Sequence, residues 1–162
     1  MKGWSVMNIE IMRNLDAIQI QKYQQNRYPA LFIDCIEEVL PGKYAKGYKN
    51  FTYNEWFFPK HFEDEPNVPG FVQYEALAQV FLMTFLTLPG YAGKKAAALR
   101  VHNEFFRRKI VPGERLDIEA KLDSFRHGIA KGHIDSFVNG EKACCLDMMA
   151  GIPDVMEVEI PR

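Results

Sequence analysis

The stretch FFPKHFEDEPNVPGFVQYEALAQV, residues 57–80, passes from a histidine (His61) in a proline-punctuated acidic loop, through Pro69-Gly70, to Glu75 at the head of the most apolar segment of the chain. That segment, ALAQVFLMTFLTL (76–88), is apolar nearly all round, which predicts a buried helix. Its thirteen residues end at Pro89-Gly90, short of the roughly 20 that a bilayer requires, so no membrane span is expected. A lone His and a lone Glu beside such a helix suit acid–base chemistry and are poor core residues.

A helix of this kind needs a surround, and the flanking sequence supplies strands. Residues 31–40 and 44–53, with Pro41-Gly42-Lys43 between them, read as two strands and a turn. Ala97, Leu99, Val101 and Asn103 share one parity, and Val111-Pro112-Gly113-Glu114 marks the next turn. Leu116, Ile118, Ala120 and Leu122 alternate with Asp117, Glu119, Lys121 and Asp123, the pattern of a strand with one core face. Residues 128–138 and 142–150 form a hairpin across Asn139-Gly140, a pair suited to positive φ. A short amphipathic helix is expected at 14–25, capped by Asn14, and an uninformative tail from about 153. The expected architecture is one α+β domain over 1–162, a curled antiparallel sheet wrapped around one long central hydrophobic helix.

Composition sets the outer limits. With 162 residues the chain has length for one domain with a core. A net charge of −1 gives no general affinity for nucleic acid or acidic membranes. Three cysteines, two adjacent (Cys144, Cys145), make neither a disulfide framework nor a metal-ligand spacing, which with no signal-like run in 1–25 points to the cytoplasm. His102, His127 and His133 read as strand or turn residues, and no metal is expected.

Several blocks resemble one family. KNFTYNEWFF (49–58), His61-Phe62, Pro66, Pro69-Gly70 and EALAQ (75–79) are similar to the signature of the 3-hydroxyacyl-acyl-carrier-protein dehydratases of fatty acid synthesis, which have the hotdog fold. RYPALFIDCIEEVLPGK (27–43) and FFRRKIVPGERL (105–116) resemble that family's early and late strands. The likeness runs from about residue 15 to 150. It implies a lyase that removes water from a (3R)-hydroxyacyl thioester, carried on the phosphopantetheine arm of acyl carrier protein or coenzyme A, with no cofactor of its own. It further implies a homodimer in which two sheets join and His61 of one subunit faces Glu75 of the other, extending to a homohexamer as a trimer of dimers.

The chemistry asks for three groups. The α-hydrogen needs a base, the hydroxide leaving group an acid, and the thioester carbonyl a hydrogen-bond donor. His61 suits the base, since imidazole is substantially neutral near pH 7. Glu75 suits the acid; burial favours a protonated carboxyl, and the positive end of a helix opposes it. Gly70, at the expected helix start, is the candidate oxyanion donor through its backbone N–H. Gln79, one turn after Glu75, supports it, and the resemblance gives the backbone carbonyl of Asn67 the task of orienting His61. Arg107, Arg108 and Lys109 read first as a solvated strand end and second as a docking patch for an acidic carrier.

Where the family has Pro-Gly or Pro-Ala two residues after the histidine, Glu63-Asp64 stand here, followed by Glu65, and Asn26 stands where it has a histidine. The acidic loop bears on which carrier is met. Two rivals follow: a hotdog thioesterase, which would keep the acid but lack the His61-Phe62 and 66–70 features, and a non-catalytic acyl-thioester-binding protein.

Overall fold

The computed structural model describes residues 9–156. Seven strands form one antiparallel sheet: Met12–Asp16 (β1), Cys35–Leu40 (β2), Tyr44–Asn50 (β3), Ala97–Phe106 (β4), Arg115–Arg126 (β5), Ile129–Val138 (β6) and Glu141–Gly151 (β7). Their order across the sheet is β1-β2-β3-β5-β6-β7-β4, so β4 is an edge strand reached by crossing from β3 through the central helix. Among the described residues two α-helices accompany them, Ala17–Ile20 (α1) and Gly70–Leu86 (α2).

The expected curled sheet around one helix is what forms, the α+β hotdog arrangement. α2 lies chiefly on β5, β3 and β6 and buries Val72, Ala76, Leu77, Val80, Phe81, Met83, Phe85 and Leu86. It starts at Gly70, six residues ahead of the apolar run, because Pro69 supplies its N-cap position with extended backbone (φ −57°, ψ 144°). Close approach to the sheet depends on Gly132: a Cβ there would stand 2.2 Å from the Lys121 carbonyl oxygen and 2.4 Å from the Phe81 ring.

Strand alternation follows the sequence. Leu116, Ile118, Ala120 and Leu122 are buried, and Asn139 and Gly140 take φ 50° and 81° in the β6–β7 turn. The helix expected at 14–25 is a correction. Asn14 lies inside β1 at φ 53°, Leu15 and Asp16 pair with Ile36 and Cys35, and the helix is confined to Ala17–Ile20. Its cap is Asp16, in a reciprocal capping box with Gln19, so sheet pairing has outweighed the helical spacing of Leu15 and Ile18. The strand expected from residue 31 begins at Cys35. The expected tail enters as a turn in which Val155 and Met156 donate to the Ile152 carbonyl; the rest of it, and residues 1–8 of the expected domain, lie outside the described residues.

Candidate active site

The two halves of residues 57–80 are built differently. His61 follows a 3₁₀ turn, Phe58–Lys60, whose Phe58 is buried together with Phe51 and Phe57. The block 49–58 thus anchors the loop in the core, with Lys49 held 2.6 Å from Glu55 and 3.6 Å from Asp34. His61 is half-buried and stacks on the Phe62 ring at 4.4 Å between centroids.

A closed loop holds the histidine. Its Nδ1 lies 3.0 Å from the Asn67 carbonyl oxygen. That oxygen only accepts, so Nδ1 carries the proton, and in neutral imidazole Nε2 then presents a lone pair. Asn67 N–H donates to the His61 carbonyl (2.9 Å), and Phe62 and Glu65 exchange backbone bonds of 3.1 and 3.2 Å around Glu63-Asp64. Val68 N–H donates to the Ile110 carbonyl (2.8 Å), which docks the loop's exit on the segment before β5.

Glu75 stands on α2, half-buried, and Gln79 Nε2 donates to its Oε1 at 2.9 Å. Gln79 is fully buried, and the rest of its side chain is committed too: Nε2 donates to the Ala30 carbonyl (2.7 Å) and Oε1 accepts from Phe32 N–H (2.7 Å). Its own carbonyl accepts from buried Gln24 Nε2 (3.2 Å), and the Gln24 carbonyl accepts from Arg27 Nη1 (2.7 Å). The Arg-Tyr-Pro segment is thereby tied through Gln24 and Gln79 to Glu75. Gln24 is a supporting residue that sequence reasoning missed; its polarity beside a proline break was the available signal. Asn26 donates to Gln24 Oε1 at 2.8 Å and so joins the same network.

Gly70 opens α2. Val72 and Gln73 donate to the Pro69 carbonyl, which leaves the N–H groups of Gly70 and Phe71 at the open end of the helix. The end faces a groove of about 430 Å³ lined by Gly70, Phe71, Tyr74, Val101, Glu104 and Phe106. A Cβ on Gly70 would come 3.0 Å from the Phe106 ring. Burial, reinforced by the charges of Glu75 and Glu104, pushes the Tyr74 phenol above its ordinary range. Gln73 Nε2 donates to the Val68 carbonyl (3.1 Å), joining helix start to loop end. Among the described residues no hydrogen bond joins the His61 ring to the Glu75 carboxylate within one chain.

The basic run is largely engaged. Arg108 pairs with Glu114 (2.6 Å) and Glu141 (3.3 Å), Lys109 pairs with Glu65, and the Arg107 guanidinium lies 4.9 Å over the Phe105 ring. No group of three or more metal-ligating side chains occurs among the described residues, and no helix there is long and apolar enough to cross a membrane.

The chain is similar to several known proteins. A family model described as a FabA-like domain matches residues 25–146. A protein of Clostridium novyi named 3-hydroxyacyl-[acyl-carrier-protein] dehydratase FabZ is 40% identical over 134 residues, covering 83% of this chain and 94% of that one. Its namesake from Clostridium acetobutylicum is 43% identical over 132 residues, 80% and 92% of the two chains. Among solved structures, the dehydratase heterocomplex ApeI:P from Xenorhabdus doucetiae superposes with a TM-score of 0.72 over 83% of this chain and 90% of that one, at 14% identity. The E. coli PaaI protein does so at 0.55 over 68% and 77%, at 12% identity; both show the fold alone. A model match across three quarters of the chain, with relatives 40% identical over nearly their whole length, makes this protein a member of the FabA-like family of 3-hydroxyacyl-[acyl-carrier-protein] dehydratases.

Proposed function

We infer that the protein removes water from a (3R)-hydroxyacyl thioester borne on acyl carrier protein, giving the trans-2-enoyl thioester in fatty acid synthesis. One observation carries the site reading: the Nδ1–Asn67 carbonyl bond fixes the tautomer that leaves His61 Nε2 basic. Nε2 takes the α-proton as the C2–H electrons become the C2–C3 double bond. The thioester oxygen gathers charge and is met by the Gly70 N–H at the end of α2. Glu75 gives its proton to the departing C3 hydroxyl, and water leaves; a proton passing from His61 to Glu75 resets the pair. The substrate brings its own phosphopantetheine, and these steps draw on no resident cofactor or metal. Acyl carrier protein is the carrier this reading favours over coenzyme A.

The acting unit in this reading is a homodimer, its base and acid from different subunits. Two features support it: among the described residues no hydrogen bond links His61 to Glu75 within one chain, and β4 has no strand on its outer side there, with Leu99, Phe105 and Phe106 exposed. Further assembly to a hexamer is compatible with such a dimer. Free cysteines suit a reducing cytoplasm.

A short 3-hydroxyacyl or enoyl thioester tests the reaction, with the conjugated double bond and free thiol followed together. Interconversion without thiol release is expected. Thiol release would point to a thioesterase, and binding with neither change to a non-catalytic acyl-binding protein.

A further inference from the structure

The turn at the tip of the His61 loop lacks the residues that make such turns rigid. Phe62 and Glu65 bond reciprocally around the two-residue tip Glu63-Asp64. Two-residue loops of this kind favour Gly or Asn at positive φ, and proline stiffens turns by fixing φ. Neither tip residue is Gly, Asn or Pro, and neither has positive φ. Three consecutive exposed carboxylates (63–65) also repel one another. The loop that aims the base therefore depends on restraints from outside the turn.

Two such restraints converge on Glu65. Asn67 Nδ2 donates to the Glu65 carbonyl at 3.0 Å, while the Asn67 backbone carbonyl takes the His61 Nδ1–H. The Glu65 carboxylate pairs with Lys109, one residue before the Ile110 carbonyl that holds Val68. We propose that the Asn67 side-chain amide and the Glu65–Lys109 ion pair are positioning elements for His61, a brace that replaces the missing turn rigidity. On this proposal, which rests on the dehydratase reading, Lys109 serves the loop rather than an incoming carrier.

The test uses the full chain and a 3-hydroxyacyl N-acetylcysteamine thioester, which has neither carrier protein nor phosphate. Asn67→Val is expected to lower kcat about fivefold, the loss of one hydrogen bond's restraint. Lys109→Gln is expected to lower it about twofold to threefold, since both partners are exposed. KM should stay unchanged in both, the double variant should fall short of the product of the two effects, and Lys109→Arg should retain wild-type kcat. A second reading needs no turnover: the His61 Nδ1–H proton signal should be protected from exchange in the wild type and exchange faster in Asn67→Val. Wild-type kcat and an unchanged Nδ1–H signal in both variants would overturn the proposal. So would a Lys109→Gln effect confined to KM for the carrier-linked substrate. An inactive wild type with the predicted Nδ1–H changes would instead sink the dehydratase reading and leave the brace standing.

Discussion

The candidate acid and base, Glu75 and His61, are held by opposite means. Glu75 rides on a helix buried on nearly every side, and its partner Gln79 is locked by bonds to Ala30 and Phe32 and, through its carbonyl, to Gln24. His61 sits on a loop whose tip is held by short-range bonds and one exposed ion pair, with a single long-range backbone bond, Val68 to Ile110, at its exit. The contrast separates two kinds of weakness: damage around the acid should cost folding, and damage around the base should cost rate.

The largest expected effect comes from the reacting groups themselves. Glu75→Gln and His61→Ala should each lower kcat by about 10² to 10⁴, with circular dichroism and melting little changed. Equal activity in either folded variant would break the assignment. Next comes Gln79→Leu, which strands the buried Phe32 N–H beside α2 and removes the bonds to the Ala30 carbonyl and to Glu75. A loss of roughly 2–4 kcal/mol is expected in denaturant melts, against less than about 1 kcal/mol for Asn67→Val on the loop. If the two variants lost equal stability, the contrast between helix and loop would fall.

The smallest effect lies on the outer face of the sheet, away from both halves. His133 on β6 has Nδ1 2.6 Å from Asp147 and Nε2 3.2 Å from Asp135, which Lys142 also approaches at 2.7 Å. Burial opposes charge on His133, but the hydrogen bonds and charges of Asp147 and Asp135 prevail and raise its pKa. The Asn103 amide and His133 hold Asp147 below its usual range; at Asp135 burial is outweighed by Lys142 and His133, and its pKa is lowered as well. The histidine's contribution is complete below its ordinary value of 6.5 and is lost as pH rises through the raised folded value. The carboxylates' contribution is present above 3.8 and is lost as pH falls through their depressed values. His133→Gln should therefore lower stability between about pH 4 and 6.5, by at most about 1 kcal/mol after solvent screening, and progressively less as pH rises through the raised folded value. A larger loss at pH 8 than at pH 5.5 would reverse the sign of this account.

Most of the scaffold was legible in the sequence because its signals are local. The parity of β5, the Asn139-Gly140 turn and the all-round apolarity of α2 each depend on neighbours in the chain. What was not legible depends on distant partners. Gln24 and Gln79 lie 55 positions apart, and Glu65 and Lys109 lie 44 apart, so neither pairing leaves a periodic trace. The short α1 shows the same limit: Leu15 and Ile18 have helical spacing, yet pairing with β2 takes Leu15 into a strand. At the site, residue types and spacing pointed to His61, Glu75 and Gly70; the Phe106 ring lying against Gly70 was invisible, since it comes from β4 at the far end of the sheet order.

The division of base and acid between subunits is tested most directly by combining two inactive proteins. His61→Ala and Glu75→Gln chains, denatured together and refolded in equal amounts, should regain about a quarter of wild-type activity, since half of the dimers would be mixed and each would hold one intact site of two. Each variant refolded alone should stay inactive. If the mixture were as inactive as its components while mixed dimers were shown to form, the base and acid would not come from different subunits.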